Sequence, residues 1–326
     1  FLLSASIVSA NVMEFYRDGM DQTFKTVSSK IVTEESENAE DAWNYDSQFK
    51  SAKDAFEGYK EFGLRSSEET AVLLKNKDKA LPLTESTPKV TMLGLRSYAA
   101  VYGNSGGSIA DKASIDSGNT ITEAFQKSGF ELNPKTLAAY KKYCEDLTWG
   151  GSGFGAIPPE YKEITTTTNI PELSPTELRG LASDYDEDYA SYGDAAIVVV
   201  GRPAGESKNY NDGAEGMDDG LHTTTGNIMG LSDDEMAIIN EAKKGKADGK
   251  FKKVIVLINA TNVMEFKNLS NDDSIDAIMW VGHPGVYGFY SVAKMLKGEV
   301  NPSAYLGDIY PTNNSDSPSM QNFGNI

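Results

Sequence analysis

One glutamate stands out because of the sequence that precedes it. Glu206 ends the stretch Gly201-Arg-Pro-Ala-Gly-Glu206, which directly follows the apolar run 195–200. If that run is a buried strand of a parallel sheet, Glu206 lies near the carboxyl end of the strand, where such sheets bind their ligands. Burial in a cleft there would raise the pKa of the carboxyl group and let it act as a general acid. The alternative is a loop glutamate that caps the chain or pairs with Arg202.

Four apolar runs bounded by turn residues predict the sheet that would position this glutamate. The runs are Lys89–Leu95, Ala195–Val200, Lys253–Ile258 and Asp276–Val281. Each is mostly apolar throughout, as expected of strands that are buried on both faces. Helix signals lie between and after these runs, and they start at Thr120, Pro134, Ser232 and Tyr287. The alternation predicts a three-layer α/β/α sandwich with a mostly parallel sheet.

The chain before the first of these runs has a different composition. Residues 1–13 are largely apolar but too short to cross a bilayer, which takes roughly 20 residues. They indicate either the remnant of an export or membrane-anchor segment or a helix packed on the domain. Residues 18–63 are polar and acidic, and Ser66 with Glu69 predicts a capping box at the start of a short helix.

These differences predict two regions. The first is an irregular or partly helical leader over residues 1–62, and the second is the sandwich domain over residues 63–326. An export segment at the start would place the protein outside the cell or at the cell surface, anchored through the residues before Asn11, and a cytoplasmic location stays open.

Composition excludes several classes of function. The formal net charge is −18, and no block of lysines and arginines provides the positive surface that nucleic acids require. A single cysteine, Cys144, and two histidines argue against an intramolecular disulfide framework and a metal cluster. We therefore predict no cofactor, no metal and no nucleic-acid partner, and we interpret Cys144 as a buried, unreactive thiol. A flavodoxin-like cofactor binder is supported only by the generic sheet.

Other residues near the ends of the predicted strands are weaker candidates. Residues Tyr102–Ser108 form a glycine-rich stretch after the first strand, which is typical of a turn or a weak anion cradle. His283 follows the fourth run and would either contact a sugar or support the fold. Asp218 could orient Glu206 or a substrate hydroxyl, or it could be solvated. Asn259 lies in a glycosylation sequon but adjoins a buried strand.

Several blocks together resemble the α/β-sandwich domain of glycoside hydrolase family 3, which contains many β-glucosidases. They are Glu69–Leu83, Ala195–Glu206, Leu231–Glu235, Val254–Asn259, Trp280–Gly285 and Gly298–Ser303, in the family's order. The resemblance spans about residues 63–323 and implies a retaining β-glycosidase acting on an oligosaccharide or a β-glycoside. It implies that Glu206 is the acid/base. It also implies that the glycine-rich loop with Tyr102, Gly103, Gly106 and Gly107 borders the sugar site.

The same resemblance implies a domain that this chain lacks. A retaining glycosidase needs a nucleophile about 5 Å from its acid/base. In this family the nucleophile is an aspartate in a Ser-Asp-Trp-like motif on a (β/α)₈ barrel, and the chain contains no such motif. Asp184, in Ser183-Asp-Tyr185, is a near match within an acidic linker. Because residues 316–324 resemble the exit from the sandwich in members with reversed domain order, we expect a covalently linked barrel downstream and no activity from this chain alone.

The chain also departs from the family pattern. Ser207 and Asn209 stand where the family often has a glycine and an aspartate after the Gly-Glu pair, and Tyr305 stands where an arginine is usual. These differences favour the alternative function, a noncatalytic carbohydrate-binding or surface interaction module with a degenerate site.

Overall fold

The computed structural model describes residues 48–49, 51–103, 117–146, 172–202, 230–311, 313, 316 and 318. By its contacts the chain divides into two compact units, Phe1–Lys50 and Ser51–Ile326, and the elements below belong to the second. Within the described ranges, no helix is both long enough and apolar enough to cross a membrane.

A six-stranded sheet forms the middle layer of the described part. Its strands are β1 (Val72–Asn76), β2 (Lys89–Leu93), β3 (Glu131–Leu132), β4 (Ala195–Arg202), β5 (Val254–Ala260) and β6 (Ala277–Trp280). The strand order is β1-β6-β5-β4-β2-β3. Neighbouring strands are parallel except for the edge pair β1–β6, which is antiparallel.

Helices cover both faces of the sheet. They are α1 (Ala52–Thr70), α2 (Ile121–Lys127), α3 (Pro134–Asp146), α4 (Pro175–Leu181), α5 (Asp233–Ala247), α6 (Lys267–Ser270) and α7 (Gly288–Leu296). Capping boxes open α2, α4 and α5, where a serine or threonine and a glutamate three residues later satisfy each other's backbone N–H groups.

The central strand β4 shows why its sequence is apolar without alternation. Ala195, Ile197 and Val199 face a core that includes α2 and α7, whereas Ala196 and Val198 face a second core that includes α3 and α5. All of these side chains are fully or almost fully buried. Two apolar layers therefore enclose one sheet, which confirms the predicted three-layer sandwich.

The predicted elements match the observed ones where the apolar pattern is strong. The four apolar runs are β2, β4, β5 and β6, and the signals at Thr120, Pro134, Ser232 and Tyr287 precede or open α2, α3, α5 and α7. The edge strand β3 and the helices α4 and α6 were not predicted as elements, and the first residues of β1 were assigned to the short helix after Ser66 instead of to a strand.

The predicted helix start at Ser66 is wrong. Ser66 lies inside α1, whose first turn is capped by the side chain of Ser51, and the predicted domain start at Gly63 falls within the same helix. Phe56, Tyr59 and Phe62 recur at helical spacing, but they stand among polar and charged residues, and this signal was missed. The helix forms because it packs on α7, for example through the hydrogen bond from Ser291 Oγ to the Leu64 carbonyl at 2.8 Å.

Candidate active-site edge

The strand order fixes where a ligand site belongs. The connection from β2 leads to β3 on one side, whereas β4, β5 and β6 follow on the other side. The order therefore reverses between β2 and β4, and doubly wound sheets bind ligands in the crevice outside the carboxyl ends of such strands. The turn after Leu93 and the end of β4 at Arg202 lie at this crevice.

The end of β4 is held by a buried ion pair. Arg202 is 1% exposed and its guanidinium contacts both carboxylate oxygens of Glu235, with Nη1–Oε1 at 2.5 Å and Nη2–Oε2 at 2.7 Å. Glu235 also accepts a hydrogen bond from the backbone N–H of Ser232, as the capping box of α5 requires. A bidentate pair of this kind fixes both position and orientation.

Arg202 directly precedes residues 203–229, and it also contacts the residue that follows them. Its Nη2 donates to the carbonyl of Gly230 at 2.6 Å, and the Nε2 of His283 lies 3.0 Å from the Arg202 carbonyl. Because a carbonyl only accepts, Nε2 carries the proton in this contact. Burial lowers the pKa of His283 to about 4, so the imidazole is neutral at pH 7.

Asn259 connects three segments at the same edge. It is fully buried at the end of β5, and its side-chain amide donates to the carbonyls of Val101 at 2.8 Å and Gly282 at 2.7 Å. Its side-chain oxygen accepts the N–H of Val101 at 2.7 Å. Asn259 therefore orders the edge from which the predicted glycine-rich loop departs, and its burial argues against glycosylation at this sequon.

Apart from His283, whose contact with a sugar stays a prediction, the predicted site residues fall into two groups. Tyr102 is 2% exposed, its hydroxyl accepts the backbone N–H of Ile121 at 2.7 Å, and its ring packs edge-on against Phe289. Tyr102 and the neighbouring Gly103 thus lie where the glycine-rich stretch begins, and the Tyr102 side chain is fixed by its packing. A contact of either residue with substrate stays a prediction. The remaining predicted residues, namely Glu206, Gly106, Gly107 and Asp218, lie outside the described residues.

A second buried carboxyl group lies at the crevice and was not predicted. Glu172 is 7% exposed and accepts the N–H of Leu95 at 2.5 Å, in the turn after β2, and the N–H of Leu173 at 3.0 Å. Burial raises its pKa to about 8, and this effect exceeds the opposing effects of the two N–H donors and of the nearby Arg96. Arg96 is itself buried, and burial together with repulsion from Arg202 lowers its pKa to about 10.

We expect the charge on Glu172 to destabilise the fold at high pH. The carboxyl titrates near 4.5 in the unfolded chain and at about 8 in the folded one, so the folded state binds the proton more tightly. Its stabilising contribution is therefore complete below pH 4.5 and is lost as the pH rises to about 8. The free energy of unfolding can be measured with urea for wild type and for Glu172→Gln at pH 5 and at pH 8. Relative to wild type, the variant should be more stable at pH 8 than at pH 5. An equal difference at the two pH values would contradict this assignment.

Two further predictions concern Cys144 and Asp184. Cys144 is 3% exposed, which confirms the predicted burial; burial also raises the pKa of its thiol to about 12, and its lack of reactivity stays a prediction. Asp184 lies in the segment before β4, and its carboxylate is 3.9 Å from Nζ of Lys135 on α3. This half-exposed ion pair is typical of a surface contact rather than of a nucleophile. Among the described residues, no group of three or more His, Cys, Asp and Glu side chains is arranged to hold a metal.

The buried polar residues at this edge were difficult to find in the sequence. Glu235 has a local signal, the capping box with Ser232, but nothing in the spacing links it to Arg202, 33 positions earlier. Glu172 has no pattern of its own. The one usable signal is a charged or amide residue at the end of a continuous apolar run, which applies to Arg202 and Asn259.

The fold and this edge define a class of protein, an α/β sandwich with its ligand crevice at the carboxyl ends of β2 and β4. The model of the glycosyl hydrolase family 3 C-terminal domain matches residues 71–325. This chain therefore belongs to glycosyl hydrolase family 3 through that domain.

Curated relatives agree with the family assignment. The chain is 28% identical over 270 residues to a β-glucosidase of Ruminococcus albus, a match that covers 82% of this chain and 24% of the relative. It is 25% identical over 264 residues to β-glucosidase A of Butyrivibrio fibrisolvens, covering 78% of this chain and 29% of the relative. The chain thus spans only 24% and 29% of the length of these two curated relatives.

Solved structures of β-glucosidases also match this chain over only part of their own length. β-Glucosidase 3B from Thermotoga neapolitana, in complex with glucose, has 26% identity and a TM-score of 0.60 over 82% of this chain and 33% of that one. A β-glucosidase from Paenibacillus barengoltzii has 25% identity and a TM-score of 0.60, and the match covers 82% of this chain and 26% of the other. Both are similar to the sandwich of this chain and are several times longer than the matched part.

Proposed function

We propose that this chain is the acid/base half of a retaining β-glucosidase or β-xylosidase-like enzyme. Glu206 protonates the leaving-group oxygen of a terminal β-linked sugar and then activates the water that releases the product. The nucleophilic aspartate comes from a (β/α)₈ barrel in the same polypeptide. The relatives are β-glucosidases of which this chain spans only a part, which supports both the chemistry and the need for a further domain.

The strand order is the observation that carries the proposal. β4 ends at Arg202, immediately before the segment that contains Glu206, and it ends at the point where the strand order reverses. Ligands of doubly wound sheets bind there. The bidentate pair with Glu235 and the hydrogen bond to the Gly230 carbonyl fix Arg202, the residue before that segment, next to Gly230, the residue after it. The chain that carries a general acid must start from a fixed position, because proton transfer requires hydrogen-bond contact with the leaving oxygen.

This chain alone and the longer protein should differ in hydrolytic activity. The purified 326-residue chain should not hydrolyse aryl β-glucosides or aryl β-xylosides, because it carries one carboxyl group of the required pair. The full polypeptide encoded by the gene should hydrolyse at least one of them with retention at the anomeric carbon, as followed by NMR of the first product.

Two outcomes contradict this proposal. Hydrolysis by the isolated chain, abolished by Glu206→Gln, would place both carboxyl groups in this chain. A full polypeptide without a barrel that binds oligosaccharides without cleaving them would favour the noncatalytic module, which the residues Ser207, Asn209 and Tyr305 first suggested.

A further inference from the structure

The side-chain amide of Asn259 pairs with the backbone of Val101 as a neighbouring strand would. Its Nδ2 donates to the Val101 carbonyl at 2.8 Å, and its Oδ1 accepts the Val101 N–H at 2.7 Å. A primary amide carries the same donor and acceptor as a peptide group, so this contact satisfies both backbone groups of a residue beyond the end of β2. Tyr102 and Gly103, two predicted sugar contacts, come directly after Val101.

The amide of Asn259 also fixes the turn after β6. Its Nδ2 donates a second hydrogen bond, to the carbonyl of Gly282 at 2.7 Å. Gly282 directly precedes His283, the third described residue with a predicted sugar contact. The two segments meet at this point, because the N–H of Gly285 donates to the carbonyl of Tyr102 at 2.8 Å. One buried side chain therefore sets the position of both segments.

The neighbouring strand leaves room for Asn259. Gly201 of β4 lies opposite Asn259 in the parallel register. A Cβ atom at Gly201 would clash with the backbone oxygen of Asn259 and lie 3.2 Å from its Cβ, so a side chain there would displace Asn259. The close approach of the two strands thus depends on a glycine at this position. With glycine there, the amide reaches both segments from the end of β5.

We propose that Asn259 is a positioning residue for the terminal sugar of the substrate. This proposal rests on the proposed function and on the sugar contacts predicted for Tyr102, Gly103 and His283. The residues of a binding site must be held to within about 0.5 Å by the contacts behind them. The Asn259 amide provides such contacts for both segments at once. Because its described contacts are with these two segments, its loss should weaken sugar binding more than it slows proton transfer.

Steady-state kinetics of Asn259→Asp in the full polypeptide test the proposal. The carboxylate still accepts the Val101 N–H but offers no donor to the two carbonyls. KM for an aryl β-glycoside should rise roughly tenfold at pH 7.5, the effect of losing about one hydrogen bond, and kcat should stay within a few-fold of wild type. Burial beside two carbonyl oxygens raises the pKa of that carboxyl group, and once protonated it donates to one of them. The rise in KM should therefore be several-fold smaller at pH 5.

Two further variants separate positioning from stability. Asn259→Ser has no group that titrates, so its KM should rise by the same factor at both pH values, and it replaces Asn259→Asp if the latter does not fold. Asn133 is a second fully buried asparagine, at the start of α3, where its side chain donates to Thr91 and accepts the N–H of Lys135. Asn133→Ala should lower the thermal stability of the full polypeptide, because a helix cap is lost, and leave KM unchanged.

An unchanged KM in either folded Asn259 variant would overturn the proposal. A kcat that falls at constant KM would also overturn it, since that pattern reports a smaller folded fraction, and so would an equal rise in KM in Asn133→Ala. A rise in KM of Asn259→Asp that is the same at both pH values would show that the lost donors are not its cause, which contradicts the proposal as well.

The proposed function and the positioning role can fail separately. If the wild-type full polypeptide hydrolyses no β-glycoside, the proposed function is refuted, and calorimetric titration of wild type and Asn259→Asp with glucose tests the positioning role instead. Roughly tenfold weaker binding of glucose by the variant supports that role. Equal binding by the two proteins, or no binding by wild type, overturns it.

Discussion

Replacing Glu235 with glutamine should lower the free energy of unfolding by about 3–5 kcal/mol, the usual cost of removing one partner from a buried ion pair. The substitution keeps the volume of the side chain but leaves the guanidinium of Arg202, which is 1% exposed, without its carboxylate. The amide group also presents a donor where Arg202 needs an acceptor. Urea denaturation of the isolated chain, followed by far-UV circular dichroism, measures this loss.

Glu177 provides a matched control for this experiment. It occupies the same capping-box position on α4, where it accepts the N–H of Ser174 at 2.9 Å, but it does so at the exposed surface. Glu177→Gln should therefore cost no more than a cap contributes, about 0.5–2 kcal/mol. In a double-mutant cycle, Arg202→Met together with Glu235→Gln should be less destabilising than the sum of the single variants. Strict additivity would show that the pair does not contribute through its mutual contact.

Replacing Glu206 with glutamine in the full polypeptide should reduce the hydrolysis of β-glycosides with poor leaving groups by about 10²–10⁴-fold, as expected for loss of a general acid. The amide cannot transfer a proton to the leaving oxygen. Substrates with a highly acidic leaving group, such as dinitrophenol, need little protonation, so their first step should be much less affected. Pre-steady-state measurement of phenol release across a series of aryl glycosides gives this dependence.

A carboxyl group elsewhere on the same edge serves as the control. Glu265 follows β5 at the carboxyl edge, as Glu206 follows β4, and Glu265→Gln should leave turnover within a few-fold of wild type. If Glu206→Gln slowed all leaving groups equally, Glu206 would act in positioning rather than in proton transfer. If it slowed none, another residue would be the acid/base.

The sheet was predictable to the extent that burial dictates its sequence. β2, β4, β5 and β6 are covered on both faces, and a strand in that environment is apolar at most positions. The edge strands had no such signal. β1 alternates between buried and more exposed residues, and β3 spans two residues, so tertiary pairing rather than local pattern defines them.

Helix α1 is an element that the sequence pattern did not predict. Phe56, Tyr59 and Phe62 recur at helical spacing, but they stand among polar and acidic residues, so the segment was interpreted as a polar leader followed by a short helix. The contacts of Leu64, Ser67 and Glu68 with α7 and the turn after β6 stabilise the helix instead. Those contacts join positions more than 200 residues apart, which no local window includes.

The sequence by itself determined the layer order, the parallel core strands and the region in which Glu206 follows β4, because each depends on burial or on capping within a few residues. Only the tertiary structure decided the partners of the buried polar groups. Arg202 meets Glu235, Asn259 joins the segments at Val101 and Gly282, and Glu172 binds the turn after β2. Buried polar atoms must be satisfied, but which distant group satisfies them depends on strand order and register, and these exist only once the sheet has formed.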